Sequence, residues 1–407
     1  MLAMSYINFL LPAYFIITLF SLPSILDKPI KFLFLLVVCV AMLQKKNKPR
    51  YNKKNAKVAT LYVFSILILC VIHSLLFNVP DVIVRILSWL FIFVVVSAID
   101  FKGKTESVSR SISLVVVVLN IVLVLFCIKH GEFAYPRWAI SGLGIDKPVF
   151  SLFYGVYFCL AYVEYLIRKN KMLHMVLFPI TFILNVYVIQ SKLALTAFVL
   201  FAVVHFVVNK NIEIRFRIKK LTGKIILVFL LVLMVNPSMI SVPDEFKTMV
   251  NQVAGKEVIA VSKMMKDDNT YTMRAAIRVH CFRLFFQHPL FGVGLGNYKK
   301  YTGSDVTFYT GGGNYVSINE AESQVLGILV EGGLWYIVSY ALLCIYILKK
   351  IIIEFVRKKE DYNLMVAFSI IVPLVYMCFG NDFFCMSFWV LMGFVLSVSG
   401  TRKENNV

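Results

Sequence analysis

Two arginines four residues apart, Arg274 and Arg278, stand in the segment 271–288, YTMRAAIRVHCFRLFFQH. Met273, Ala276, Ile277, His280, Cys281 and Leu284 recur there at helical spacing, and Pro289 stops the helix. On a helix the two guanidinium groups project from one face and form a fork suited to a diphosphate. The other reading is that both solvate an interfacial helix whose apolar stripe rests on lipid or protein. Carboxylates follow in Asn319-Glu320-Ala321-Glu322-Ser323-Gln324, at the entry to an apolar stretch. Glu322 is open to two readings: a solvated residue favoured by a helix N-terminus, or a general base at the lipid–water boundary. Glu331 lies two to three turns deeper, where an acid is costly. It either pairs with an arginine, packs as a protonated carboxyl against backbone, or takes part in function.

Between the arginines and the carboxylates runs Pro289-Leu290-Phe291-Gly292-Val293-Gly294-Leu295-Gly296-Asn297-Tyr298. Glycine at every second position permits a tight turn close to a ligand or to another segment. The spacing is not that of a dinucleotide-binding loop, and no βαβ unit surrounds it. Gly311-Gly312-Gly313 is a second flexible stretch, either a hinge or a slack connection.

The elements that must position these residues are membrane helices. The chain is 59% hydrophobic and only 16% charged, with a mean hydropathy of +0.80. Apolar runs long enough to cross a bilayer recur along it. They predict about twelve helices, near 4–22, 28–43, 58–77, 82–99, 112–128, 148–167, 172–190, 192–208, 223–241, 324–348, 364–379 and 383–399. The expected fold is an all-α polytopic membrane protein in three parts. Residues 1–235 hold spans one to nine, 236–323 form one large external loop with an amphipathic helix, and 324–407 hold the last three spans. Irregular backbone cannot face lipid, so the loop is where chemistry is expected.

The net charge of +20 does not mark a nucleic-acid binder, because the cations alternate between loops. They cluster at Lys45–Lys57, at Lys102, Lys104 and Arg110, at Arg168–Lys171, at Lys210–Lys224, at Lys349–Lys359 and at Arg402-Lys403. With twelve spans all of these fall on one side, which the positive-inside bias makes cytoplasmic. Both termini are then cytoplasmic and the 236–323 loop is external. The basic loops meet nothing more specific than anionic headgroups of the membrane lipid. The N-terminus lacks a basic n-region and a cleavage site, so it is read as a retained first span.

Metal and disulfide chemistry have no visible basis. Cys39, Cys70, Cys127, Cys159, Cys281, Cys344, Cys378 and Cys385 form no CxxC pair, and all but Cys281 fall in expected spans. His73, His130, His174, His205, His280 and His288 show no metal-ligand spacing. No cofactor is expected.

Arg274 with the run His288–Tyr298 resembles a segment of the O-antigen ligase/polymerase superfamily, the WaaL and Wzy proteins. Glu322–Gly333 resembles a later motif of that family, and Ser191-Lys192 resembles the pair that opens one of its helices. The layout of spans and external loop is also similar. Ligase members carry His-Asn where this chain has Glu322-Ser323, and an acidic residue there is similar to polymerase-type members. The resemblance therefore implies a metal-independent polymerase. It would join repeat units made on undecaprenyl diphosphate, with lipid-linked glycan as both donor and acceptor and a chain-length regulator as a further partner. The implied roles are Arg274 and Arg278 on the leaving diphosphate and Glu322 as base. Lys192, Arg85 and Arg137 are further external-side cations, and Glu320 is the alternative carboxylate. Arg85 is also open to snorkelling at the interface. A ligase-type transferase is the first alternative. A transporter of lipid-linked glycans is the second, disfavoured because no repeat is visible and mid-span charges are few.

Overall fold

The computed structural model describes residues 53–77, 80–98, 105–130, 147–165, 171–189, 191–210, 270–301, 307–309, 315–317, 323–357, 362–378 and 386–398. The expected spans near 4–22, 28–43 and 223–241 lie outside the described residues, as does the loop before Thr270. Helices account for almost everything described. In chain order they are α1 (Lys53–Phe77), α2 (Pro80–Ala98), α3 (Thr105–His130), α4 (Lys147–Val163), α5 (Lys171–Ile183) and α6 (Lys192–Lys210). Then come α7 (Thr270–Gln287), the short α8 (Tyr298–Tyr301), α9 (Gln324–Arg357), α10 (Tyr362–Met377) and α11 (Met386–Val398). Between α8 and α9, β1 (Thr307–Tyr309) pairs antiparallel with β2 (Tyr315–Ser317), a small addition to the expected all-helical chain.

The apolar runs of the sequence became helices because a helix satisfies its own backbone where lipid offers no partner. Among the described residues, three helical stretches, Lys53–Phe77, Thr105–Lys129 and Gln324–Ile353, are long and apolar enough to cross a membrane. Shorter apolar helices pack with them, among them Val149–Val163, Lys192–His205 and Tyr362–Met377. Together they make a polytopic membrane protein. Leu75, Leu125, Val176 and Leu342 face outward, as lipid-facing side chains do.

Inside the bundle, α2 packs on α11 and on α1, α4 on α6 and α10, and α9 on α1. Small residues permit the closest approaches. A Cβ on Gly155 would meet Met377 at 2.1 Å and the Ala194 backbone at 3.4 Å. Trp389 sits among Tyr62, Phe93 and Phe388. Asn120 links three helices, accepting from the Tyr154 hydroxyl at 2.5 Å and donating to Thr181 at 2.8 Å.

One end of the bundle gathers the basic helix ends. Lys350 Nζ donates to Asn55 Oδ1 (2.8 Å), and Asn55 Nδ2 donates to the Leu396 carbonyl (2.7 Å). These bonds join the start of α1, the end of α9 and the end of α11. Ser109 and Tyr362 both donate to Glu164, joining the starts of α3 and α10 to the end of α4. Lys53, Lys54, Lys57, Arg110, Lys349 and Lys350 therefore share one end, the arrangement that alternating spans demand.

α5 does not run regularly to its end. It carries Pro179 and passes into a π-helical turn, Leu184–Ile189. Proline removes a backbone donor, and wide turns of this kind absorb the mismatch. Ser191 then caps α6, its Oγ accepting from the Ala194 amide at 3.3 Å.

Candidate active site

Opposite the basic end, the run 288–298 is built into a broken helix. α9 is interrupted at Gly333, whose φ is 61° and ψ −158°, so the expected single span is two helical pieces. In an unbroken helix the Leu334 and Trp335 amides would donate to Val330 and Glu331. Instead, Leu334 N donates to the Pro289 carbonyl (2.8 Å) and Trp335 N to the Leu290 carbonyl (3.1 Å). The freed carbonyls are taken up in turn. Val293 N donates to Val330 O at 2.9 Å, and Gly294 N donates to Glu331 O at 3.0 Å. The turn thus stands in for the missing helical partners, which makes a break tolerable at membrane depth.

This interlock requires glycine at two facing positions. A Cβ on Gly292 (φ 71°) would lie 2.4 Å from the Val330 carbonyl oxygen. A Cβ on Gly333 would lie 2.6 Å from the Gly292 amide nitrogen and from the Leu290 carbonyl. The neighbours are backbone and cannot move aside. The glycine patterns in the two motifs are therefore two halves of one joint.

His73, in the last turns of α1, holds the other side of the turn. The Leu295 amide donates to its Nδ1 at 3.1 Å, and its Nε2 lies 2.7 Å from the Phe291 carbonyl. A nitrogen that accepts from an amide carries no proton, so Nε2 bears the hydrogen and donates. The Phe77 ring lies against Gly294. Nothing in the sequence singled out His73, since its partners are 218 and 222 residues away.

α7 packs on α9 through Ile277, Cys281 and Leu284, which are buried with Val293, Tyr298 and Val330. The apolar stripe thus rests on protein. By the helical repeat, Arg274 and Arg278 flank this stripe on one side, about 50° and 90° away from it. Arg278 is half-buried. The Arg274 side chain lies outside the described residues. By contrast, Arg283 is exposed. Tyr298 locks the joint from α8: the Cys281 thiol donates to its hydroxyl (3.5 Å), and its amide faces Glu331 Oε1 at 3.4 Å. Burial, with smaller contributions from Cys281 and Glu331, holds the Tyr298 phenol well above its usual range, so it stays protonated. Glu331 is half-buried and turned to backbone.

The described chain resumes at Ser323, which caps α9. Its Oγ accepts from the Leu326 amide (3.2 Å) and its carbonyl from Gly327 (2.9 Å). Glu320 and Glu322 lie outside the described residues, as does Arg137. Glu322 immediately precedes the cap, and so directly precedes the positive end of a helix that α7 lies against. Lys192 is exposed at the first residue of α6. A cation there opposes the helix dipole, so the helix itself does not account for it. Two residues on, Ala194 packs near Met377. The neighbouring Cys378 carbonyl accepts from Val325 N at 3.2 Å, which places the start of α6 at the same end as the start of α9. α2 begins there too, with Arg85 in its second turn; that side chain is outside the described residues.

Buried amides that sequence reasoning missed also gather at this end. Asn297 donates to the Val293 carbonyl at 3.2 Å, while its Oδ1 has no partner among the described residues. Gln324 accepts from the Cys378 thiol at 3.3 Å, and its Nε2 is likewise without a partner there.

Residues 177–341 match the family model of the O-antigen ligases. The matched stretch runs from α5 into α9 and contains Lys192, α7, the glycine turn and the Gly333 break. An O-antigen ligase-family domain is therefore present, consistent with a member of the ligase/polymerase superfamily. It supports glycosyl transfer of the ligase or polymerase type, with lipid-linked glycans in the membrane as substrates. No curated protein matches the chain.

Proposed function

We propose that this chain, with its O-antigen ligase-family domain at 177–341, is a polymerase. It joins oligosaccharide repeat units carried on undecaprenyl diphosphate, at the external face of the inner membrane. The basic helix ends gathered at one end support a cytoplasmic placement of that end. The interlocked turn then faces the periplasm.

The observation that carries this reading is the joint between the glycine turn and the α9 break. It holds the arginine helix α7 against the α9 segment that begins just after Glu322. In the proposed reaction an acceptor sugar hydroxyl attacks the anomeric carbon of the donor. The bond between that carbon and the diphosphate oxygen breaks, and polyprenyl diphosphate leaves. Arg274 and Arg278 meet the charge that develops on the diphosphate, with Lys192, Arg85 and Arg137 as further cations. Glu322 takes the hydroxyl proton, and Glu320 is the alternative. The positioned cations do the work that a metal does elsewhere.

The acidic Glu322, where ligases hold histidine, favours polymerase over ligase. The test is reconstitution with lipid-linked single repeat units alone and with a lipid A-core acceptor. A ladder of polymer without the core acceptor supports the proposal. Transfer only to the core acceptor refutes it in favour of the ligase. Glu322→Gln should bind donor and accumulate single units; normal ladders from that variant would remove Glu322 from the mechanism.

A further inference from the structure

The basic end of the bundle holds a second polar site, far along the helices from the glycine turn. Here α3, α4 and α5 enclose a cavity of about 260 Å³ lined by Glu164, His174, Ser113 and Arg110, with apolar walls that include Leu114 and Leu173. Glu164 is only 4% exposed. Ser109 Oγ donates to its Oε1 at 2.7 Å, and the Tyr362 hydroxyl donates to the same oxygen. No donor reaches Oε2 among the described residues, and no ion pair forms with His174, whose Nδ1 faces the Tyr157 hydroxyl at 3.3 Å. A carboxylate so enclosed calls for a cationic donor on its open oxygen.

The walls indicate where such a donor comes from. Leu114 is 49% exposed and Leu173 48%, and both stand on helices that face lipid. The cavity therefore opens beside the bilayer. At its mouth Arg110 is held, among the described residues, by the neighbouring Glu106 at 2.5 Å, with its own side chain 69% exposed and that of Glu106 40%. An exposed pair of this kind is weak, so the guanidinium can turn to a phosphate.

We propose that this cavity is a lipid site for an ethanolamine phospholipid of the leaflet at the basic end. The primary ammonium donates to Glu164 Oε2, the phosphate meets Arg110, and an acyl chain runs over Leu114 and Leu173. A choline headgroup has no N–H to donate, and a glycerol headgroup brings no cation, so neither satisfies Glu164. The site is independent of the glycan chemistry proposed above.

Native mass spectrometry of the delipidated full chain tests this with phosphatidylethanolamine, phosphatidylcholine and phosphatidylglycerol added separately. The wild type should retain the ethanolamine lipid at least tenfold better than the other two. Glu164→Gln keeps the shape and should lose that preference. Ser113→Leu fills the cavity from α3 and should lose it too, which answers the question even if the Glu164 variant folds poorly. Equal retention of the three lipids overturns the proposal, as does wild-type retention by the Ser113 variant. Free phosphoethanolamine that binds as well as the lipid also overturns it, by making the ligand a soluble amine.

Discussion

Gly333→Ala tests the joint on which the candidate site depends. At φ 61° and ψ −158°, a region essentially confined to glycine, an alanine costs about 1–3 kcal/mol. Its Cβ would also sit 2.6 Å from the Gly292 nitrogen and the Leu290 carbonyl, and backbone cannot yield there. The relief open to the chain is to close the α9 break. Leu334 and Trp335 would then donate to Val330 and Glu331 as in any helix. Four bonds across the joint would be replaced by two within α9. At about 0.5–1.5 kcal/mol for each net bond lost, leaving the joint costs roughly 1–3 kcal/mol, which opposes the strain. The backbone strain alone shifts the balance against the joined state by about 1–3 kcal/mol, a population change of about fivefold to over a hundredfold, and the Cβ contacts add to it. The protein should still insert, because the apolar face of α9 is unchanged. Polymer in cells should fall at least tenfold, and trypsin should cut more readily after the exposed Lys300 in detergent. Wild-type polymer together with an unchanged digest would refute the role given to the break.

Arg274→Ala and Arg278→Ala should each lower polymer by about 10²–10³ at normal protein levels, and lysine should rescue poorly; normal ladders from both alanine variants would reduce them to an interfacial face. His73→Ala strands the Leu295 amide and the Phe291 carbonyl, at about 1–3 kcal/mol each. A thermal-unfolding midpoint equal to wild type would contradict the clamp. Leu284→Ala, in the cluster between α7 and α9, should cost about 2–5 kcal/mol and mimic Gly333→Ala in the trypsin digest. Cysteines placed at Lys256 and Asp305 should react with an impermeant thiol reagent before the inner membrane is opened. Reaction only afterwards would invert the proposed orientation.

Much of the helical layout was legible because it is local. A run such as Val115–Leu125 has no choice but helix in lipid, and the observed α4, α6 and α10, and α5 taken with its π-helical turn to Ile189, begin and end within a few residues of the expected spans. The larger departures fall where another element intervenes. α9 runs to Arg357 rather than ending near residue 348, its end tied down by Lys350 to Asn55. α3 starts at Thr105 rather than near 112, where Ser109 and Thr105 find partners on α4 and α10. Of the site, the helical spacing of Arg274 and Arg278 and the stop at Pro289 were readable from neighbouring residues. The function of the glycines was not, since a glycine pattern states only that backbone comes close, not to what.

The sequence by itself thus determined a membrane-embedded helical protein with its basic ends to one side and an arginine pair on one helix face. Those properties follow from the hydropathy, charge and 3.6-residue repeat of contiguous residues. Only the tertiary structure decided that Pro289–Gly294 would replace α9's own hydrogen-bond partners around Gly333. Only it could bring His73 to both sides of that turn and turn Glu331 to the Tyr298 amide. These are pairings between distant segments, and hydrogen-bond complementarity across hundreds of residues leaves no periodic trace in the chain. The reason such a pairing forms is nonetheless simple: a break in a membrane helix exposes backbone groups that lipid cannot satisfy, and another piece of backbone must.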